Sequence, residues 1–419
     1  MDANKAMPQS ARTRNLSLLK QPDFRQLWLA QIVSILGDSV ALFAITTVAA
    51  FDLRVSPQAV TGLQFFYLLP LCTLGMVSGS LVDFMEPRKV MIASDFARCA
   101  LCLCLLEVHG IWGFNVLLVL ISSFSSLFIP AQTVLLTRSV PDGLLRSANS
   151  LNQQVIMLMR IVGPIVAAML LLRLGPKSCY VIDALSFLLS AMFISCIPTV
   201  PSPTTRPVST VNGRERRFDA VGFRGLSCIR ATSDLFVPVA MQVACMFVVG
   251  CFAPLMAIYV RDVLHLRQQL FGMASAGVGL GMLIATVFIN SRYRATDELV
   301  LARGGVLLLG MAMAGIACFP KTDCLIVGCC FVGGGSALVL IPTQTRIQLQ
   351  SPPALLGSVS STTMALAFGG QLLGLWLGGV TSHEFGVRAM FGVCAILLFI
   401  LIVLSGRVRG QSDNSELSC

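Results

Sequence analysis

Charged residues are scarce in this chain: they make up 12% of its 419 residues, whereas 55% are hydrophobic. A soluble globular protein carries about 25% charged residues. With a mean hydropathy of +0.81, the chain has too few polar side chains to cover a particle of this size in water. This composition excludes a soluble enzyme, a disordered protein and a DNA-binding factor. Because the apolar stretches are long and continuous, they predict an all-α membrane protein.

The residue types that build common enzyme and cofactor sites are scattered. The histidines His109, His265 and His383 lie too far apart in the sequence for a zinc motif. The Cys99-Ala-Leu-Cys102 spacing resembles a redox or metal motif, but within a hydrophobic run we interpret these cysteines as small buried side chains. The sequence has no phosphate-binding Gly-Lys-Ser/Thr loop. We therefore expect no metal, no cofactor and no enzymatic activity, with an ion gradient as the energy source.

Twelve stretches have the roughly 20 mostly apolar residues that a membrane-spanning helix needs. They predict twelve transmembrane helices, near 24–49, 58–82, 90–108, 111–135, 147–172, 178–198, 235–260, 268–290, 299–319, 323–341, 356–380 and 386–406. The polar segment 199–234 separates the first six from the last six. The predicted parts are therefore a tail (1–23), two six-helix halves (24–198 and 235–406), a central loop (199–234) and a second tail (407–419).

Basic residues fall unevenly on the two sides of this predicted bundle. With a cytoplasmic N-terminus, twenty-one of the thirty Lys and Arg residues lie on the inner side and seven on the outer side. This bias is typical of membrane proteins, so we expect both termini to be cytoplasmic. The net charge of +10 is then explained by topology and not by a nucleic-acid partner. Segment 1–23 has no signal-peptide cleavage site and is predicted to be a cytoplasmic tail.

A short internal repeat supports the division into halves. Ile129-Pro-Ala-Gln-Thr133 recurs 212 residues later as Ile341-Pro-Thr-Gln-Thr345, and the match continues at Pro141 and Pro353. Both copies lie at the predicted inner end of a fourth span. Two tandem halves of the same orientation indicate a transporter with a substrate site between the halves.

Several motifs resemble the major facilitator superfamily. The loop Gly79-Ser-Leu-Val-Asp83-Phe-Met-Glu-Pro-Arg88-Lys89 is similar to its Gly-x-Leu-x-Asp-x-x-x-x-Arg-Lys signature, with Phe84 where a basic residue is common. Gly163-Pro164 resembles the Gly-Pro of its antiporter motif and implies close helix packing. Stretches such as Leu36-Gly37-Asp38 and Ile182-Asp183-Ala-Leu-Ser-Phe resemble its drug and siderophore exporter branch, which includes macrolide efflux and enterobactin export proteins.

Two groups of charged residues are candidates for mechanism. Asp38 and Arg160 lie at similar depth in the first and fifth spans, so we expect an ion pair that lines the central cavity and takes part in coupling. A purely structural pair is the alternative. Asp95 and Arg98, three residues apart on one helical face, are expected to form an inner gate. By resemblance this gate includes Gly79, Asp83, Arg88 and Lys89. Substrate binding is the alternative role.

Polar and bulky side chains in the spans are candidates for the substrate cavity. They are Gln31, Gln64, Tyr67, Asn152, Gln153, Met157, Gln242, Phe368 and Gln371. Each could instead bond or pack against a neighbouring helix. Glycines at helical spacing, Gly277 and Gly281 in one span and Gly370, Gly374 and Gly378 in another, are interpreted as packing residues.

These observations predict a secondary transporter of the bacterial inner (cytoplasmic) membrane. We expect a monomer that exports amphipathic drugs or a siderophore in exchange for protons. Import or flipping of a nutrient or lipid-like solute is the alternative, because the fold accepts either direction. A receptor or intramembrane enzyme is disfavoured by the tandem repeat and by the lack of a catalytic constellation.

Overall fold

In a computed structural model of the chain, the structure describes residues 18–74, 78, 85–140, 144–198, 226–292, 297–352 and 356–416. These residues include twelve α-helices of at least 17 residues and no strand. The first six helices are α1 (Pro22–Thr47), α2 (Pro57–Thr73), α3 (Pro87–Cys104), α4 (Ile111–Ser139), α5 (Leu145–Leu174) and α6 (Pro176–Ser195). The last six are α7 (Ser233–Ile258), α8 (Gln268–Arg292), α9 (Glu298–Cys318), α10 (Thr322–Gln350), α11 (Leu356–Phe385) and α12 (Val387–Glu416).

Nine helices in the described part of the chain are long and apolar enough to cross a membrane. The helices α2, α3 and α5 are not among them: α2 has 17 residues, α3 carries four charged residues, and α5 contributes only the shorter apolar helix Val162–Leu174. Large apolar side chains such as Leu172, Val287 and Ile396 are exposed on the helices, as contact with lipid requires. The molecule is therefore a multi-pass helical membrane protein, and the count of twelve spans stays a prediction.

Proline and glycine mark several helix boundaries. Proline stands in the first turn of α3 and α6, where its missing N–H would have no partner in the helix. Gly175 and Gly386, with φ of 78° and 82°, make the sharp connections into α6 and α12. A side chain is strained at such angles, which explains the glycine at both positions.

The helix boundaries repeat along the chain. Each of α7 to α12 begins 211 residues after its counterpart in α1 to α6. The repeat includes irregular features: π-helical turns at Val48–Asp52 and Tyr259–Val263, each followed by a residue of positive φ, Arg54 and His265. The duplication that the sequence predicts thus extends to the backbone, with a spacing one residue shorter than that of the Ile-Pro-x-Gln-Thr motif.

The chain forms two compact units. One comprises Met1–Ala44 and Leu69–Arg206, and the other comprises Ile45–Leu68 and Pro207–Cys419. In the first unit, Phe24 of α1, Met91 of α3 and Phe128 of α4 belong to one buried core. The second unit contains the end of α1 and most of α2 together with the last six helices. The predicted division into halves at 199–234 stays a prediction.

Glycines bring helices of the second unit into backbone contact. A Cβ added to Gly281 of α8 would overlap the carbonyl oxygen of Cys330 in α10. One added to Gly374 of α11 would overlap the carbonyl oxygen of Phe247 in α7. Because backbone lies where a side chain would be, only glycine fits at these positions. The prediction that these glycines are packing residues is confirmed.

Candidate functional site

The helices α3 and α6 of the first unit pack against each other in antiparallel orientation. At the start of α3, Arg88 Nε donates to the carbonyl oxygen of Ile194 (3.3 Å) and Nη2 to that of Ser195 (2.5 Å), at the end of α6. Toward the other end, Cys102 contacts Asp183. This contact surface between α3 and α6 is called the first seam. It carries three buried charged side chains, Asp95, Arg98 and Asp183.

The centre of the first seam is an ion pair within α3. The Arg98 guanidinium contacts the Asp95 carboxylate, and the two side chains are 3% and 0% exposed. Arg98 Nη1 also lies 3.5 Å from the Ser125 hydroxyl of α4. Its Cζ lies 4.5 Å from the ring centroid of Phe128 and 4.2 Å from that of Phe187. A guanidinium over aromatic rings is attracted to their π faces, so Arg98 is held by one carboxylate and two aromatic rings.

Asp183 of α6 is buried among neutral hydrogen-bond donors. The Cys102 thiol donates to its Oδ2 (3.1 Å). The Ser186 hydroxyl donates to the Asp183 backbone carbonyl (2.7 Å) and lies 3.3 Å from Oδ1. Within the described residues, no Lys, Arg or His nitrogen lies within 4.0 Å of this carboxyl. An ionised carboxylate without a cation is costly in such a place.

Helix α1 closes the site through Gly37 and Asp38. A Cβ on Gly37 would overlap the Ser186 hydroxyl and the Asp183 carboxyl, so α1 lies directly against α6 there. Asp38, the next residue, is partly buried and interacts electrostatically with Arg98, Asp95 and Asp183. Three carboxyl groups on three helices therefore interact with one guanidinium, which forms an ion pair with Asp95. We call Asp38, Asp95, Arg98 and Asp183 the acidic cluster.

The acidic cluster joins residues that the sequence prediction assigned to separate roles. Asp38 was expected to pair with Arg160, whose side chain lies outside the described residues, so that pair stays a prediction. Asp95 and Arg98 do pair with each other, and they lie beside Asp38. Asp183 was not predicted as a site residue. The signal was available, since it is an acidic residue inside an apolar span.

The predicted inner gate is described only in part. Gly79 and Asp83 lie outside the described residues. Arg88 binds the end of α6, and Lys89 pairs with Glu86 (2.8 Å) while 79% exposed. The gate assignment therefore stays a prediction.

The predicted cavity residues are divided between the two units. In the first unit Gln31 is buried, Asn152 is partly buried, and the side chains of Gln153 and Met157 lie outside the described part. In the second unit Gln64, Tyr67, Phe368 and Gln371 are partly buried. Two glutamines make contacts between helices: Gln242 donates to Gln344 Oε1 (3.4 Å), and Gln371 packs against Gly250. Their cavity role stays a prediction.

The predicted packing role of Gly163-Pro164 has a structural basis at the glycine. A Cβ on Gly163 would overlap the Ser39 side chain, so α5 and α1 approach closely one residue after Asp38. Pro164 lies within α5. Close packing of α1 against both α5 and α6 fixes the position of Asp38.

The second unit has a different ionic arrangement, at the ends of helices. Arg346 of α10 contacts Asp297 (2.9 Å), Asp234 (3.4 Å) and Glu298 (3.9 Å), which lie at the starts of α7 and α9. The acidic partners are partly or largely exposed. This network ties three helix ends together, whereas the acidic cluster lies within its helices.

Twelve mostly apolar helices in the described part of the chain, whose boundaries repeat after 211 residues, are typical of one class of protein, the multi-pass membrane transporters. The sequence matches the family model of the Major Facilitator Superfamily over residues 27–374. The chain belongs to this superfamily of transporters and is not an enzyme.

Individual relatives cover most of the chain. An uncharacterized MFS-type transporter, YfiS of Bacillus subtilis (strain 168), is 29% identical over 94% of this chain and 97% of its own length. Macrolide efflux protein A of Streptococcus pyogenes is 21% identical over 91% of this chain and 94% of its own. A crystal structure of the nucleoside transporter NupG superposes with a TM-score of 0.70 at 12% identity, over 92% of this chain and 99% of NupG. The similarity to NupG shows the fold of this chain.

Proposed function

We propose that this protein exports amphipathic organic molecules, drugs or a siderophore, in exchange for protons by alternating access. It would lie in a bacterial inner membrane as a monomer with twelve spans and cytoplasmic termini, without a cofactor. A relative named for macrolide efflux supports export of such molecules. Uptake or flipping of a nutrient or lipid-like solute is the second candidate, because the fold works in either direction.

The observation that carries proton exchange is the charge count of the acidic cluster. Among the described residues, three carboxyl groups interact electrostatically with one guanidinium within the helices. If all were ionised, the described side chains of the cluster, with Arg160 not counted, would hold two more negative than positive charges away from water, which is strongly unfavourable. Binding of protons removes this excess, and opening toward water restores it. A helix movement that changes the hydration of the cluster is thereby linked to binding and release of protons.

The test is transport into inside-out vesicles that carry the full chain and a labelled macrolide outside. With an acidic interior, protons leave as the macrolide enters, so we expect accumulation that disappears when an ionophore collapses the gradient. Accumulation without a pH gradient contradicts proton exchange. Accumulation only in right-side-out vesicles makes the protein an importer.

Variants connect this transport to the acidic cluster. Asp38→Asn removes one of the three carboxyl groups and keeps the size of the side chain, so we expect gradient-driven accumulation to be lost. Glu384→Gln, at an exposed carboxyl near the end of α11, is the matched control and should transport normally. Equal transport by both variants would show that coupling of transport to protons does not depend on Asp38.

A further inference from the structure

The three carboxyl groups of the acidic cluster have different partners. Asp95 holds the Arg98 guanidinium, and a charge-assisted pair of this kind stabilises the ionised carboxylate. Asp38 is partly buried, and Asp183 is 2% exposed with a thiol and a hydroxyl as neighbours. Asp183 thus combines burial with neutral hydrogen-bond partners, an environment that suits a neutral carboxylic acid.

The hydrogen bonds around Asp183 also leave a place for a proton. The Ser186 hydroxyl hydrogen is already donated to the Asp183 backbone carbonyl at 2.7 Å. Its oxygen, 3.3 Å from Oδ1, is therefore free to accept a hydrogen bond from a protonated Oδ1. On the other side, Oδ2 accepts from the Cys102 thiol. A neutral Asp183 is fully satisfied by these groups.

Other ionisable groups that act on Asp183 belong to neighbouring helices. Helix α1 contributes Asp38, and α3 contributes Arg98, Cys99 and Cys102. A negative Asp38 repels a negative Asp183, whereas Arg98 is already engaged by Asp95. Loss of the proton from Asp183 would then require Arg98 to turn toward it or water to enter.

We propose that Asp183 is the residue that holds the exchanged proton, with Cys102 and Ser186 as its positioning residues. In this step a hydronium ion of the water that enters the site gives one proton to Asp183 Oδ1 and is left as water. The new Oδ1–H group donates a hydrogen bond to Ser186 Oγ, and no other covalent bond changes. The inference rests on the proposed function. It assigns to α6 a role that the depth of Asp38 had assigned to α1.

The experiment is infrared spectroscopy of the purified full chain in lipid vesicles, without any transported molecule. A protonated carboxyl group has a C=O stretching band distinct from that of a carboxylate. We expect the wild type to show this band at neutral pH, Asp183→Asn to lose it, and Asp38→Asn and the exposed control Glu384→Gln to retain it. Absence of the band in the wild type overturns the proposal. The proposal is also overturned if Asp38→Asn loses the band while Asp183→Asn retains it.

The positioning residues give a second readout, which also applies if Asp183→Asn does not fold. Cys102→Ala removes the donor to Oδ2, and Ser186→Ala removes the acceptor for Oδ1. Each should shift the frequency of the band, because hydrogen bonding weakens the C=O bond. An unchanged frequency in both variants overturns the proposal. A different combination of results is efflux that does not depend on a pH gradient together with the expected infrared bands. It would contradict the proposed function but not the assignment of the proton to Asp183.

Discussion

The first seam, between α3 and α6, has a counterpart in the second unit between α9 and α12, called the second seam. At the 211-residue spacing of the helix starts, Asp95, Arg98 and Asp183 correspond to Val306, Leu309 and Cys394. Val306, Leu309 and Cys394 are all buried, with 0% of each residue exposed. At these three positions the same helix pair has ionisable Asp and Arg side chains in one copy and Val, Leu and Cys in the other.

This difference shows that a helix pair of this kind can pack without buried Asp and Arg side chains. Leu309 packs next to Gly335 of α10, with its Cβ 3.1 Å from where a Cβ on that glycine would be. Arg98 at the corresponding place needs a carboxylate, a hydroxyl and two aromatic rings. Since an apolar seam folds at lower cost than one with buried charges, stability does not explain the charges of the first seam.

The largest expected effect is on the stability of the first seam. Arg98→Leu leaves Asp95 buried without its cation, so we expect a destabilisation of about 3–5 kcal/mol. The double variant Asp95→Val/Arg98→Leu copies the second seam at these two positions and should lose much less. Thermal unfolding of the purified protein in detergent measures both.

The outcome that would contradict this comparison is equal destabilisation by the single and double variants. In that case the loss would come from packing of the arginine and not from an unpaired carboxylate.

The reverse exchange is expected to have the next largest effect. Leu309→Arg places an unpaired cation in the second seam, at a cost of about 2.5–3.5 kcal/mol. Adding Val306→Asp three residues earlier creates the Asp95–Arg98 spacing and should recover part of the loss. Leu309→Met, an apolar exchange of similar volume, is the control and should cost less than about 1.5 kcal/mol. No recovery in the Val306→Asp/Leu309→Arg variant would show that spacing alone does not make a buried pair tolerable.

Much of the fold follows from local sequence patterns. Each of the twelve predicted spans overlaps one helix in the described part of the chain, because lipid exposure requires long apolar runs that composition records directly. The packing of Gly281 and Gly374 was predictable for a similar reason, since small residues at helical spacing mark one face. The Asp95–Arg98 pair follows from a separation of three residues within one helix.

The remainder of the acidic cluster depends on how separate helices align. Cys102 and Asp183 are 81 residues apart, and their contact follows from the antiparallel register of α3 and α6, which no local pattern contains. The interpretation of Cys102 as a small buried side chain is correct for its burial, but it missed the hydrogen bond to Asp183. A glycine next to an intramembrane acid, Gly37-Asp38, was the available hint that another helix lies close.

The smallest expected effect concerns the helix ends, where the two seams are alike. Arg303 near the start of α9 donates to the Ser405 carbonyl of α12 (2.5 Å), as Arg88 does to Ser195 at the end of α6. Removal of either arginine by Arg88→Met or Arg303→Met should cost about 1.5–3 kcal/mol, because each variant loses charge-assisted hydrogen bonds to a helix end. Lys89→Gln breaks an exposed pair with Glu86 and should cost at most about 1 kcal/mol. Thermal unfolding of the three variants measures whether the seams differ only at their centres. A loss for Arg88→Met well above that for Arg303→Met would mean that the first seam differs at its end as well, as expected if Arg88 also belongs to a gate.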